Sequence, residues 1–288
     1  MIWLILSIAT SSLLYVIFKY FQVFKVNRLH AIVFNYVIAC GTGIIAYRGT
    51  INSAQILEAS WLPYAVFLGF LFIILFNVMA LTSQKNGLSV AAVSSKMSLV
   101  IPVMAGYWLY DESLGWIKIV GIVLALASVF LTSVKSGGSF SITREYLLLP
   151  LLLFAGSGLI DVTLKYAETV HVPDGEEPLF SAVCFIVAFV IGIFVMSYEA
   201  RQKRYLNKKS IIAGIILGVP NYFSIYFLIK ALKTDMESSV IYPINHVGTV
   251  LLTSLFGIVF FKEKMGFKNY LGIVIAVIAI VLVALAEA

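Results

Sequence analysis

Tyr242, Asn245, His246, Thr249 and Thr253 stand at i, i+3, i+4, i+7 and i+11 of an otherwise apolar run, Val240–Phe261. That spacing sets a phenol, an amide, an imidazole and two hydroxyls on one stripe of a helix. Such groups orient a small polar ligand by hydrogen bonds, and facing hydrocarbon they would be left without partners. Ala91, Ser94, Ser95, Ser98 and Pro102 repeat the spacing in Leu88–Tyr110. The two stripes are read as facing walls of a central substrate cavity. The competing reading is that they bond helix to helix and hold a bundle together.

Ionisable groups inside apolar runs add to this set. Lys96 lies about 140° by helical angle from the centre of the serine stripe. Either its long stem reaches the cavity rim, favouring an anionic or zwitterionic substrate, or it pairs with an acid. Asp161 has Lys165 one turn on. The two are either a mutually neutralised i, i+4 pair or part of a centre that binds a coupling proton. Tyr15 and Lys19 match Asp161 and Lys165 in the first half, so Tyr15 joins the coupling candidates. Asn221 and Tyr222 follow Pro220, which frees a backbone carbonyl; they line either a break at the substrate site or a plain kink. Asn35 and Asn77 are weaker cavity candidates.

The elements that carry these residues follow from composition. The chain has 288 residues, 61% hydrophobic and 12% charged, with mean hydropathy +1.01. A soluble domain cannot hide that much apolar surface. Ten runs have bilayer-spanning length: Ile2–Tyr20, Leu29–Tyr47, Trp61–Thr82, Leu88–Tyr110, Leu114–Ser133, Tyr146–Tyr166, Leu179–Tyr198, Ser210–Leu232, Val240–Phe261 and Phe267–Leu285. They are continuously apolar, which predicts an all-α integral membrane protein and not a barrel. The first run lacks a basic head and a cleavage site, so it is read as span 1. Cys40 and Cys184 are read as packing residues. His30, His171 and His246 are dispersed with no carboxylate at metal spacing, so neither metal nor cofactor is expected. No GxxxxGK[ST] loop speaks for ATP hydrolysis. The net charge of +6 sits mostly in connectors, where it orients a membrane protein and calls for no nucleic acid partner.

The runs form one unit used twice. Ser89–Leu131 aligns without a gap on Val240–Leu282, placing Gly106, Glu112, Gly115 and Gly121 on Gly257, Glu263, Gly266 and Gly272. Ser11–Tyr20 likewise matches Ser157–Tyr166. Residues 1–135 and 146–288 are therefore two five-span repeats joined by a connector at 136–145. An odd number of spans per repeat makes them inverted. Glu112 and Glu263 are expected to complement the dipoles of spans 5 and 10. The Gly and Ala positions of those spans suit close packing, within the bundle or across a homodimer. Thirteen basic residues in the odd-numbered connectors face four (Arg48, Lys118, Lys230, Lys233) in the even ones. That bias puts both termini outside the cytoplasm. Trp3, Trp61, Trp108 and Trp116 are expected to anchor in the headgroup layer.

The stretch SLVIPVMAGYWLYDESLGWIKIVGIVLALASVFL, with Pro102, Gly106, Glu112, Gly115 and Gly121, resembles the ten-helix EamA-type members of the drug/metabolite transporter superfamily. The basic residue that commonly follows the Glu there is replaced in DES (Asp111–Ser113). The resemblance implies a secondary transporter in the bacterial inner membrane, working by alternating access and more commonly exporting a small metabolite such as an amino acid or organic acid. It also implies cytoplasmic termini, against the charge bias. Two other classes are weighed: an intramembrane lipid-modifying enzyme, which would need a nucleophile or metal cluster, and a non-transporting scaffold, which would need no polar stripes.

Overall fold

In the computed structural model, residues 1–85, 94–133, 148–200, 208–262 and 266–286 are described. The expected connector 136–145, Ala91 and Glu263 lie outside them. The described residues form eleven helices: α1 (Ile2–Val23), α2 (Arg28–Ala46), α3 (Ser53–Glu58), α4 (Leu62–Lys85), α5 (Val100–Tyr110), α6 (Trp116–Ser133), α7 (Leu148–Val170), α8 (Glu177–Ala200), α9 (Lys208–Leu232), α10 (Ser238–Phe261) and α11 (Phe267–Leu285). A single helical turn at 94–97 precedes α5. Spans 1 to 3 are α1, α2 and α4; span 4 is described from Ser94 as this turn and α5; spans 5 to 10 are α6 to α11. Seven of these helices are long and apolar enough to cross a bilayer, and α1 and α6 hold shorter apolar stretches, Ile2–Phe18 and Trp116–Leu131. Continuous helix satisfies every interior backbone group, the condition hydrocarbon imposes. The chain is thus an all-α, multi-pass membrane protein.

The duplication is visible in the backbone. Asp111 and Lys262, matched positions one residue before Glu112 and Glu263, both leave their helices in the left-handed region, at φ 52° and 50°. Their N–H groups bond back to the carbonyls of Gly106 and Gly257, which are also matched. Non-glycine residues seldom adopt this conformation, and the two aligned positions share it.

Residues group into two compact units, and each draws helices from both repeats. The first comprises Met1–Ile74 and Thr163–Lys233. In it α2 packs on its repeat counterpart α8 and on α9, and α1 packs on α9. Gly214 and Gly218 of α9 form a GxxxG step. A Cβ at Gly214 would meet Ala31, Phe34 and Asn35 of α2, and one at Gly218 would meet Asn35 and Ile38. Glycine lets the two backbones touch.

The even-numbered connectors of this unit are clamped together. Trp61 Nε1 donates to Glu176 Oε2 at 2.6 Å and its ring meets Phe180 edge-on. Trp61 is only 1% exposed, which corrects its expected place among headgroups: the α7–α8 connector has folded over it. Trp108 and Trp116 are exposed, as an anchor requires. Lys233 bonds Asp174 at 2.8 Å, Glu177 at 3.1 Å and the Val172 carbonyl at 3.1 Å. Lys230 also reaches the fully buried Glu177, at 2.9 Å. The hydrogen bond and charge of Lys233 hold the Asp174 carboxyl below its usual range. On an odd-numbered side, the Asn27 N–H donates to Ser210 Oγ at the start of α9.

The second unit comprises Leu75–Val162 and Thr234–Ala288. Here α6 runs along its repeat counterpart α11, and α10 packs on α5, α6 and α11. Leu99, Val103, Ile122, Ala125, Val129, Val247, Ala276 and Ala279 make its buried core. A Cβ at Gly121 would strike Val283, so this glycine sets the α6–α11 spacing.

Candidate functional site

Three elements of the second unit converge on one polar cluster. α10 contributes Tyr242, Asn245, His246 and Thr249, all buried. The segment before α5 contributes Ser95, Lys96 and Ser98, beside Ser94. α7 adds Ser157 and Asp161, one turn apart on the same face.

His246 holds the centre. Its Nε2 lies 3.4 Å from Asp161 Oδ2, with the two side chains 8% and 11% exposed. Its Nδ1 lies 3.2 Å from the Lys96 carbonyl. Tyr242 sits edge-on to the imidazole and donates its hydroxyl to the Asp161 carbonyl at 2.6 Å. Ser95 Oγ meets Ser157 Oγ at 3.2 Å, and Ser98 Oγ donates to the Ser95 carbonyl at 2.6 Å.

The two nitrogens of His246 both face acceptors. The carbonyl of Lys96 takes only a donor, so Nδ1 carries hydrogen there. On its other side Nε2 meets the Asp161 carboxylate, so the imidazole bridges α7 and the segment before α5.

Asp161, for which the sequence offers either a pair with Lys165 or a coupling role, thus meets an imidazole three helices on in the chain. Lys165 ion-pairs with Glu168 at 3.6 Å and donates to the Leu232 carbonyl at 3.1 Å, within the first unit. Asn221, Tyr222 and Tyr15 also belong to the first unit. α9 continues through Pro220 without a break. The Asn221 carbonyl accepts from Ser224 Oγ, and the buried Tyr222 stacks on Tyr226. A Cβ at Gly43 of α2 would meet the Tyr222 ring. Tyr15 is half-buried on α1.

A second polar group closes the outer end of α10. Glu112 Oε1 accepts from the Ser238 N–H at 2.8 Å and from Ser238 Oγ at 2.6 Å, and Oε2 accepts from the Ser239 N–H at 2.8 Å. The expectation that Glu112 serves span 5 is corrected: α6 starts only at Trp116, and the helix terminus within reach is that of α10. Gly106 makes room, since a Cβ there would meet the Glu112 carboxylate. Beside it Lys118, 1% exposed, ion-pairs with Glu237 and bonds Ser239 Oγ. Lys118 had been counted as a connector charge; it is a buried strut. Burial pushes the Glu237 carboxyl up, but Lys118 and the Ser113 N–H outweigh it and hold the group below its usual value. Sequence reading missed Ser157, Glu237 and this use of Lys118. Glu237 was legible in principle, as an acid directly before two serines that open a helix.

The expected resemblance is matched by comparison with known proteins. Residues 146–285 match the EamA-like transporter family. A protein of Haemophilus influenzae, described only as uncharacterized, is 26% identical over 283 residues, spanning 96% of this chain and 95% of its own. One crystal structure superposes with a TM-score of 0.80 over 99% of this chain and 96% of its own, at 14% identity, which speaks to the fold alone.

Proposed function

We infer that this chain, whose residues 146–285 match the EamA-like transporter family, is a secondary transporter that carries a small polar metabolite across the bacterial inner membrane by alternating access, in the export direction. The observation that carries the reading is the buried Asp161–His246 pair, 3.4 Å apart, beside the Lys96 carbonyl. Buried ionisable groups within a span are costly unless they have a task or a partner, and we assign this pair the coupling task. Tyr242, Asn245, Thr249, Ser94, Ser95 and Ser98 supply neutral hydrogen-bonding groups for substrate. Lys96 biases the site toward an anionic or zwitterionic molecule, of the amino acid or organic acid class. Asn221 and Tyr222 of α9, in the first unit, are kept as that unit's own substrate-contact candidates. Lys165 is occupied by Glu168 and the α9 terminus, and Tyr15 carries no charge, so the coupling role falls to Asp161 with His246. No bond-making step is assigned, and the partners are substrate, lipid and a second copy of the chain, not nucleic acid.

The test is flux in proteoliposomes loaded with candidate metabolites under an imposed pH gradient. Asp161→Asn and His246→Gln should abolish gradient-driven flux while Asp161→Asn retains downhill exchange. Full gradient-driven flux in both variants would sink the coupling assignment. Chemical turnover of a substrate without movement would sink transport itself.

A further inference from the structure

The end of α1 and the start of α9 enclose a groove of about 470 Å³ in the first unit, walled by Ile17, Phe21, Phe24, Val26, Ala213 and Ile216. That volume lies in the range that holds a drug-sized ligand. The groove is shaped by the way α1 stops. Lys25 takes the left-handed conformation at φ 52°, and the Val26 N–H bonds the Phe21 carbonyl at 2.9 Å. This is a helix-ending motif that normally uses glycine. It folds Val26 back onto Phe21, where both join one apolar cluster.

Cations flank the lining residues in the sequence. Lys209 lines the groove, and Lys25, Lys208 and Lys209 are all exposed. Arg28 opens α2. The sequence from 20 to 28 and from 208 to 216 contains these four cations and no acid. Orienting a span needs basic residues in a connector and nothing more. A one-sided apolar slot that ends in a cation cluster fits a more specific occupant, an amphiphile with a hydrocarbon chain and an anionic head. A zwitterionic lipid would bring its own cation to an already positive rim.

We propose that this groove is a binding site for an anionic glycerophospholipid, with one acyl chain in the slot and the phosphate over Lys25, Lys208 and Lys209. The site is separate from the transport cluster and stands independently of it. Native mass spectrometry of the purified full-length protein, titrated with phosphatidylglycerol or phosphatidylcholine of identical chains, tests it. The wild type should retain phosphatidylglycerol at least about tenfold more tightly, given the usual gain per basic residue near anionic lipid. Lys208→Gln with Lys209→Gln should erase the preference, and Lys208→Arg with Lys209→Arg should keep it. Ala213→Trp, which fills the slot, should weaken phosphatidylglycerol binding with the lysines intact. Equal retention of the two lipids by the wild type, a preference that survives the double glutamine change, or undiminished binding in Ala213→Trp would each overturn the proposal.

Discussion

Glu112 shows how one side chain can fasten two parts of a repeat. Its carboxylate takes three hydrogen bonds from the first residues of α10, where unpaired N–H groups and the helix dipole both favour negative charge. Glu112→Gln keeps the shape and removes the charge, and should cost about 1–2 kcal/mol, the range for losing a helix cap. Gly106→Ala should cost a similar amount, because its Cβ would displace the same carboxylate. If both act through one contact, the double variant should be no worse than the weaker single one. Denaturant unfolding in mild detergent measures this, and additive losses would mean that Gly106 matters for another reason. The chain also shows why residue roles were only half legible. The stripe on α10 and the serines before α5 follow from helical spacing, and His246 of the one reaches the Lys96 carbonyl beside the other. For Asp161 the sequence offers Lys165 as a partner or a coupling role, because spacing along one helix says nothing about which other helix arrives beside it. Trp61 was misplaced for the same reason: a connector more than 100 positions later in the chain covers it.

At the scale of elements, the ion pair of Lys118 with Glu237 joins the first turn of α6 to the cap of α10. Glu237 has its carboxyl held below the ordinary value in the folded protein. A group lowered in this way stabilises the fold above its unfolded pKa, about 4.3 for glutamate, and loses that contribution as pH falls through the folded value. Wild-type stability should therefore decline on acidification below about pH 4. Lys118→Met should flatten that part of the decline, since little then separates the folded and unfolded pKa of Glu237. Thermal midpoints recorded across an acid series in both proteins check it; parallel curves would remove Glu237 as a contributor. Helix positions themselves were largely readable, because hydrocarbon permits few alternatives to a continuous apolar helix. The short α3 was not, since six polar-flanked residues capped by Asn52 leave no hydrophobic signature.

For the whole molecule, alternation of connectors is the constraint that matters. Ser60 and Trp61 meet His171 and Glu176, Glu112 and Ser113 meet Glu237 and Ser238, and Asn27 meets Ser210. Among these described contacts, even-numbered connectors touch even and odd touch odd, the parity that the expected ten crossings would impose. Single cysteines replacing Ser60 and Ser113 should label from one side of sealed vesicles, and one replacing Asn27 from the other. The basic bias assigns the Asn27 side to the cytoplasm and places a C-terminal reporter outside it. Labelling of all three from one side would contradict the ten-span count. The helix that closes each repeat, α6 or α11, lies against its own counterpart, an arrangement in which a surface recognises itself. A half-length ancestor inserted in both orientations would already have buried that face against a sister copy. Joining two such copies in one chain would need a tether between them and would leave the meeting surface as it was.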